Sequence, residues 1–283
     1  MFSRFPWRLC AAAWCACVLS MSLPAQASDA APLVVATYAY PQRDRAAAIR
    51  PLADYLAERS GRTVETKVLP SPTALVEAMG RGEVDIAVPN LHGYLQSRRW
   101  RERIVALPVP DVPPAQADRY RAVIVARAGI DSLPALKREA AKLRLALVGP
   151  DSASGGFVPV ARLKQLGLDP ATGFATLAYA GSHAAALEAL ASGRADVAAL
   201  AADVFDAQTP AGARELWRSA PIPSGPLLCR TQAVDCAGVG GWLLDAHRHD
   251  PRVMAALRAG WPEFGDATAF VPPAIPDGLS LTD

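Results

Sequence analysis

The sequence predicts an α/β protein of two lobes, each built on a mostly parallel sheet, joined by two hinge crossings around a ligand cleft. Three observations carry this expectation. Apolar, β-branched runs alternate with helical periodicities along most of the chain. Two proline-rich joints, at residues 108–114 and 220–226, interrupt that alternation. A helix-turn-strand unit also recurs: Ala74-Leu75-Val76-Glu77-Ala78 leads to Gly82 and Asp85-Ile86-Ala87, and 111 positions later Ala185-Ala186-Leu187-Glu188-Ala189 leads to Gly193 and Asp196-Val197-Ala198. In both copies a glycine stands where a helix C-cap needs one.

The elements follow in order. Arg4 and Arg8 open the chain, residues 9–23 carry no charge, and Pro24-Ala25-Gln26-Ala27 offers small residues at both positions a signal peptidase reads. This predicts a secretory leader over residues 1–27, cut before Ser28, and export to the periplasm. The uncharged run falls short of the roughly 20 residues that span a bilayer. Leu33-Val34-Val35-Ala36-Thr37-Tyr38 reads as a strand, and residues 44–58 as a helix with Ala48, Ile49, Leu52, Tyr55 and Leu56 on its apolar side. Strands are expected at 63–69, 85–88 and 104–108, with a helix opened by Ser71-Pro72 between the first two. Beyond the first joint, strands are expected at 120–127, 143–148, 175–179 and 196–200. Helices are expected near 133–140, 155–166 and 182–191, and the tail at 238–258 is helical again. Lobe 1 is thus expected over residues 28–118 and lobe 2 over 119–219, with residues 220–283 returning to lobe 1.

Composition narrows the function. The chain has 283 residues, 51% apolar and 20% charged, which excludes wholesale disorder. Two of the 29 basic residues and none of the 27 acidic residues lie in the leader, so the mature chain is formally neutral. That is no electrostatic footprint for nucleic acid. Three of the five cysteines also lie in the leader. Cys229 and Cys236 remain, flanking a turn in an exported chain, and a local disulfide is expected. No metal site or cofactor is implied, since this spacing does not fit a zinc knuckle.

The most informative segment follows the strand at 143–148. Gly149-Pro150-Asp151-Ser152-Ala153-Ser154-Gly155-Gly156 runs into a helix with Phe157, Val160, Ala161, Leu163 and Leu166 on its apolar side. The first turn of a helix has unpaired N–H groups, and its dipole favours negative charge there. The glycines permit close backbone approach, and the hydroxyls of Ser152 and Ser154 add donors. The junction therefore suits an oxyanion. Gly181-Ser182-His183 opens the next helix, where the dipole disfavours an imidazolium and His183 is expected as a neutral donor. In lobe 1, Tyr38-Ala39-Tyr40-Pro41 and Pro89-Asn90-Leu91-His92-Gly93-Tyr94 follow strands in the same way. Ligands of open α/β sheets bind outside the C-terminal ends of the strands, so four segments converge on one cleft.

These segments resemble the periplasmic phosphate/phosphite/phosphonate-binding proteins, the solute-binding components of ABC importers with a type II periplasmic-binding fold. The resemblance rests on Gly82-Glu83-Val84-Asp85-Ile86-Ala87, on Asp151-Ser152-Ala153-Ser154-Gly155-Gly156-Phe157-Val158-Pro159, on Gly181-Ser182-His183, on Gly193-Arg194-Ala195-Asp196-Val197-Ala198, and on Trp217-Arg218-Ser219-Ala220-Pro221-Ile222-Pro223. It implies a protein that closes on a small anion and presents it, as a monomer, to an inner-membrane permease. It also implies ligand contacts from Ser152, Ser154, Gly155 and His183, with Tyr38, Tyr40, Tyr94 and Asn90 from lobe 1 and Asp203 as a partner for an amine. Where the family often has Ser-Thr-Ser, this chain has Ala153 between the serines. Where the family commonly has a Phe-Gly-Pro-like start before its tyrosine, this chain reads Ala87-Val88-Pro89-Asn90.

Other readings use the same residues. A sensing protein of this fold would hand its occupancy to a membrane sensor kinase. A secreted hydrolase would use Ser152 and His183 as nucleophile and base, but no GxSxG elbow or HExxH accompanies them. A degenerate relative would keep the cleft without the anion.

Overall fold

The structure, a computed structural model, describes residues 1–2, 31–41 and 43–273. Apart from its first two residues, the leader expected over residues 1–27 lies outside the described residues.

Lobe 1 begins with β1 (Leu33–Tyr38), α1 (Arg45–Ser60), β2 (Val64–Leu69), α2 (Pro72–Arg81), β3 (Ile86–Ala87), α3 (Leu91–Ser97) and β4 (Ile104–Ala106). A connecting stretch contains β5 (Val109–Pro110) and the single-turn α4 (Pro114–Ala117). The second lobe holds β6 (Ala122–Ala126), α5 (Leu133–Glu139), β7 (Arg144–Leu147), α6 (Val158–Gln165), β8 (Thr176–Tyr179), α7 (His183–Ala191), β9 (Val197–Ala201), α8 (Ala202–Ala207) and β10 (Arg214–Arg218). The chain then returns through β11 (Leu228–Arg230), α9 (Cys236–His249), α10 (Arg252–Gly260) and β12 (Phe270–Val271), which pairs with β5. The tail expected to be one helical stretch is divided at Pro251, because proline cannot continue a helix it enters from within.

Local sequence accounts for the helix ends. Ser71 caps α2 by accepting the Ala74 amide, Pro72 fills the first turn, and Gly82 closes it at φ 84° with its N–H on the Ala78 and Met79 carbonyls. Ser182 caps α7 in the same way through the Ala185 amide.

The two sheets share one topology. Their strand orders are β2-β1-β3-β11-β4 and β8-β7-β9-β6-β10. In each, four strands run in one direction and one, β11 or β6, runs against them. The reversed strand is the one that arrives from the other lobe. It enters its sheet at the cleft end, where the other strands finish, so it must run the opposite way. Both predicted lobes and their mostly parallel sheets are therefore present.

The repeat at 111 positions is a repeat of structure. Asp85 and Asp196 are buried at the ends of their sheets away from the cleft, and each accepts a backbone N–H from the neighbouring parallel strand, Val34 of β1 or Arg144 of β7, at 2.9 Å. Each also meets an arginine from the reversed strand's end: Arg230 bonds Asp85, and Arg127 Nε reaches Asp196 at 2.9 Å. Arg144 adds a second contact to Asp196, Nε to Oδ2 at 2.9 Å, and these donors hold the Asp196 carboxyl far below the usual carboxylate range.

Each sheet is packed on both faces. In lobe 1, α1, α9 and α10 cover one face through Leu52, Leu56, Leu243, Leu257 and Trp261, while Leu75 and Met79 of α2 cover the other. In lobe 2 the two faces are filled around Leu145 and Leu163, and around Ala146 and Leu187. Cys229 and Cys236 form a disulfide that ties β11 to the start of α9. The strands' carboxyl ends are left facing each other across the gap between the lobes.

Candidate binding site between the lobes

The gap is a cavity of about 770 Å³, walled by both lobes. Its lobe 2 wall begins at the end of β7. Ser152 caps the following helix, its Oγ accepting the Gly155 amide at 3.1 Å, and the first turn, residues Ala153–Phe157, is wound as a π-helix before α6 continues. The first-turn amides of Ala153 and Ser154 have no partner inside the helix, as at any helix start. Ser152 and Ala153 line the cavity.

The glycines have a role other than approach to a ligand. A Cβ on Gly155 would stand 2.2 Å from Val148 Cγ2 and 3.2 Å from His183 Cε1, and one on Gly156 would stand 2.0 Å from the Gly149 carbonyl oxygen. The turn folds back onto the strand it left, with the Val148 N–H on the Gly155 carbonyl at 2.8 Å, and only a residue without Cβ fits. Ser154 is wholly buried beneath the turn with its hydroxyl beside the Tyr120 phenol, and neither it nor Gly155 lines the cavity.

His183 lies beside this turn. Its Nδ1 accepts the Ala201 amide at 3.1 Å, which leaves Nε2 as the protonated nitrogen of a neutral ring. Burial holds its pKa down at about 4. The ring therefore offers the cavity a donor that does not change with pH near neutrality.

The facing wall comes from lobe 1. Tyr38 ends β1 and Tyr40 follows it, and burial raises both phenols above their usual range, so both are neutral hydroxyls. Asn90 caps α3 with Oδ1 on the Gly93 amide at 2.9 Å, while its Nδ2 donates to the Asp151 carbonyl at 2.9 Å across the gap. Thr73 Oγ1 donates to Asp151 Oδ1 at 2.7 Å, and His92 Nε2 is 3.8 Å from the same oxygen. The lobes are thus already in contact through Asp151.

Of the residues expected at a site, Tyr38, Tyr40, Asn90, Ser152, His183 and Asp203 line the one cavity. Tyr94, on α3, does not: it packs against the apolar clusters around Leu75 and Met79 and around Leu91 and Leu95. Sequence reasoning missed Arg45, Tyr120 and Glu263, which also line it. Arg45 opens α1 and Glu263 lies in the short helical turn Pro262–Phe264, neither with a motif around it, and Tyr120 lies between the first joint and β6, so no local signal marked any of the three.

Two α/β lobes of equal topology, crossed twice by the chain and closed on a cavity of donors, define a bilobal solute-binding protein. Residues 34–269 match the family model described as ABC transporter, phosphonate, periplasmic substrate-binding protein, and the chain belongs to that family. It captures a small solute for an ABC importer and works with a membrane permease. Family and fold are those of substrate-binding proteins, not enzymes.

Solved structures share the fold. The XAC2383 protein of Xanthomonas citri, solved bound to ATP, is 24% identical with a TM-score of 0.68, over 86% of this chain and 91% of that one. PhnD1 from Prochlorococcus marinus, in complex with methylphosphonate, is 16% identical with a TM-score of 0.64, over 86% and 93%. A binding-protein component of an ABC phosphonate transporter from Pseudomonas aeruginosa is 20% identical with a TM-score of 0.63, over 84% and 80%.

Proposed function

We propose that this protein is exported by the leader at residues 1–27 and, as a periplasmic monomer, captures a phosphate-, phosphite- or phosphonate-like oxyanion for an inner-membrane permease. The observation that carries this reading is the helix start at Ser152 and Ala153 on the cavity wall, beside His183 with its neutral Nε2–H. An oxyanion there would accept from the first-turn amides, the Ser152 hydroxyl and the imidazole. The phenols of Tyr38 and Tyr40 and the Asn90 amide would close over it from lobe 1. Because the mature chain is formally neutral, affinity must come from this local array of donors and not from a general positive field. Methylphosphonate and ATP, the ligands of two proteins of this fold, both carry a tetrahedral phosphorus oxyanion, which agrees with this reading.

The test uses mature protein stripped of bound solute. Phosphate, phosphite and methylphosphonate are titrated by calorimetry and by thermal shift. At least one should raise Tm by several degrees, since a ligand selective for the folded state stabilises it by roughly 2.7 kcal/mol at 100 times its Kd. Ser152→Ala should weaken that ligand about tenfold or more through the lost hydroxyl and cap. No Tm shift and no heat with any of the three would refute the reading.

A further inference from the structure

Three arginines line the cavity, Arg43, Arg45 and Arg119, and the oxyanion reading gives none of them a task; of the three, Arg45 is the buried one. Arg45 opens α1 on the lobe 1 wall and is only 4% exposed. Its guanidinium sits among three aromatic rings, 4.0 Å from the centroid of Tyr38, 4.6 Å from Trp261 and 5.0 Å from Tyr40. Nε donates to the Gly260 carbonyl at 3.1 Å, which holds one edge of the fork against the end of α10. Nη1 is buried and has no hydrogen-bond partner, and among the described residues no carboxylate forms an ion pair with Arg45. Glu263 shares the wall without pairing to it, and burial raises the Glu263 carboxyl above its usual range.

A buried, unpaired guanidinium is costly in a free protein, and the rings around it fix its orientation in advance. Such a group is preorganised to receive an anion, with carboxylate as the geometry an arginine fork fits well. The cavity is also far roomier than a bare tetrahedral oxyanion needs, since about 770 Å³ falls in the range of pockets that hold drug-sized ligands.

We propose that Arg45 forms a second anionic subsite on the lobe 1 wall, so that the preferred ligand is an organic oxyanion bearing a separate carboxylate-class group. This rests on the reading that the oxyanion head lies at the Ser152 helix start. The head would be held by lobe 2 and the second group by lobe 1, so one ligand would bridge the two lobes and favour their closure.

The experiment compares ethylphosphonate with carboxymethyl-, 2-carboxyethyl- and 3-carboxypropylphosphonate by calorimetry, on wild type, Arg45→Gln and Arg45→Lys. At least one carboxylated compound should bind wild type about 10- to 100-fold more tightly than ethylphosphonate, the range of a charge-assisted hydrogen-bonded pair. Arg45→Gln should erase that advantage while leaving ethylphosphonate affinity within about threefold, and Arg45→Lys should restore part of it. The wild-type series stands by itself if Arg45→Gln does not fold. Binding of ethylphosphonate with no gain across the series overturns this inference alone. Equal loss of ethylphosphonate and of its carboxylated relatives in a folded Arg45→Gln also overturns it, because the arginine would then serve the head. Failure of this whole series to bind wild type overturns this inference, and if phosphate, phosphite and methylphosphonate fail as well, the oxyanion reading falls with it.

Discussion

Thr73 of lobe 1 donates a hydrogen bond to Asp151 of lobe 2, Oγ1 to Oδ1 at 2.7 Å, across the mouth of the cavity. Thr73 lies in the first turn of α2 and Asp151 in the turn after β7, so the bond joins the two lobes and an opening of the cleft would break it. With Asn90 Nδ2 on the Asp151 carbonyl, this pair latches the closed form. A contact made only in the closed form stabilises that form relative to the open one, and so adds to ligand affinity without touching ligand.

Thr73→Val should therefore weaken the bound ligand about 3- to 10-fold, the value of roughly one hydrogen bond. The Tm of ligand-free protein should move little, because an open form would leave Asp151 solvated. Calorimetric titration of the ligand identified for wild type measures the effect. Unchanged affinity would show that the pair is incidental to closure.

Gly155→Ala and Gly156→Ala are expected to lower stability by about 2–3 kcal/mol each, the range for overpacking a site that cannot relax. The Gly156 substitution should be the worse of the two. Its Cβ meets the Gly149 carbonyl of a fixed backbone, whereas the Gly155 Cβ meets a Val148 side chain. Urea unfolding of ligand-free protein measures both, and equal stability to wild type would mean that the turn is looser than its contacts indicate.

His183 couples stability to pH. Its folded pKa is held down at about 4 by burial, against an ordinary value near 6.5. Between those values the unfolded chain binds a proton that the folded chain refuses. Stability is thus full above about pH 6.5 and falls as pH drops towards 4, by roughly 2–3 kcal/mol from this residue after allowance for its place on a cavity wall. His183→Gln should flatten that part of a Tm-against-pH curve. A curve as steep as wild type between pH 6.5 and 4 would assign the loss to other groups.

The Asp85 and Asp196 clamps should separate stability from binding. Asp196→Asn breaks a buried carboxylate's pairing with Arg127 and Arg144, and about 2–4 kcal/mol should be lost, somewhat less than for a fully buried pair because both arginines are partly exposed. Affinity should stay within about threefold, since the clamp lies at the end of the sheet away from the cleft. Asp85→Asn should act alike on lobe 1. Loss of binding in a folded Asp196→Asn variant would mean that the sheet's far end reaches the site.

The predictions differ in how much of their basis could be read from residues alone. The Asp85 and Asp196 equivalence was visible as two helix-glycine-aspartate-strand units 111 positions apart, because both copies of a repeated fold face the same local demands. The Ser152 helix start and the Ser182 cap that places His183 were equally visible, since caps and glycine turns are written within a few residues. The strands β10 and β11 were not anticipated: Arg214–Arg218 lacks an apolar alternation, and Leu228–Arg230 has three residues.

The sequence alone determined the two lobes, the repeat between them, the cysteine pair and the helix start that opens lobe 2's wall. Each rests on short-range physics: hydrophobic period, caps, and residues that must or cannot adopt a given backbone. Only the tertiary structure decided which residues share the cavity. It buried Ser154 and Gly155 in their own turn, packed Tyr94 of α3 against apolar clusters outside the cavity lining, and brought Arg45, Tyr120 and Glu263 to the wall from three distant parts of the chain. The environment that makes Arg45 notable is not written around it, since its three rings come from β1, from the loop after it and from the end of α10. A buried charge is defined by what packs against it, and that packing exists only once the lobes have folded.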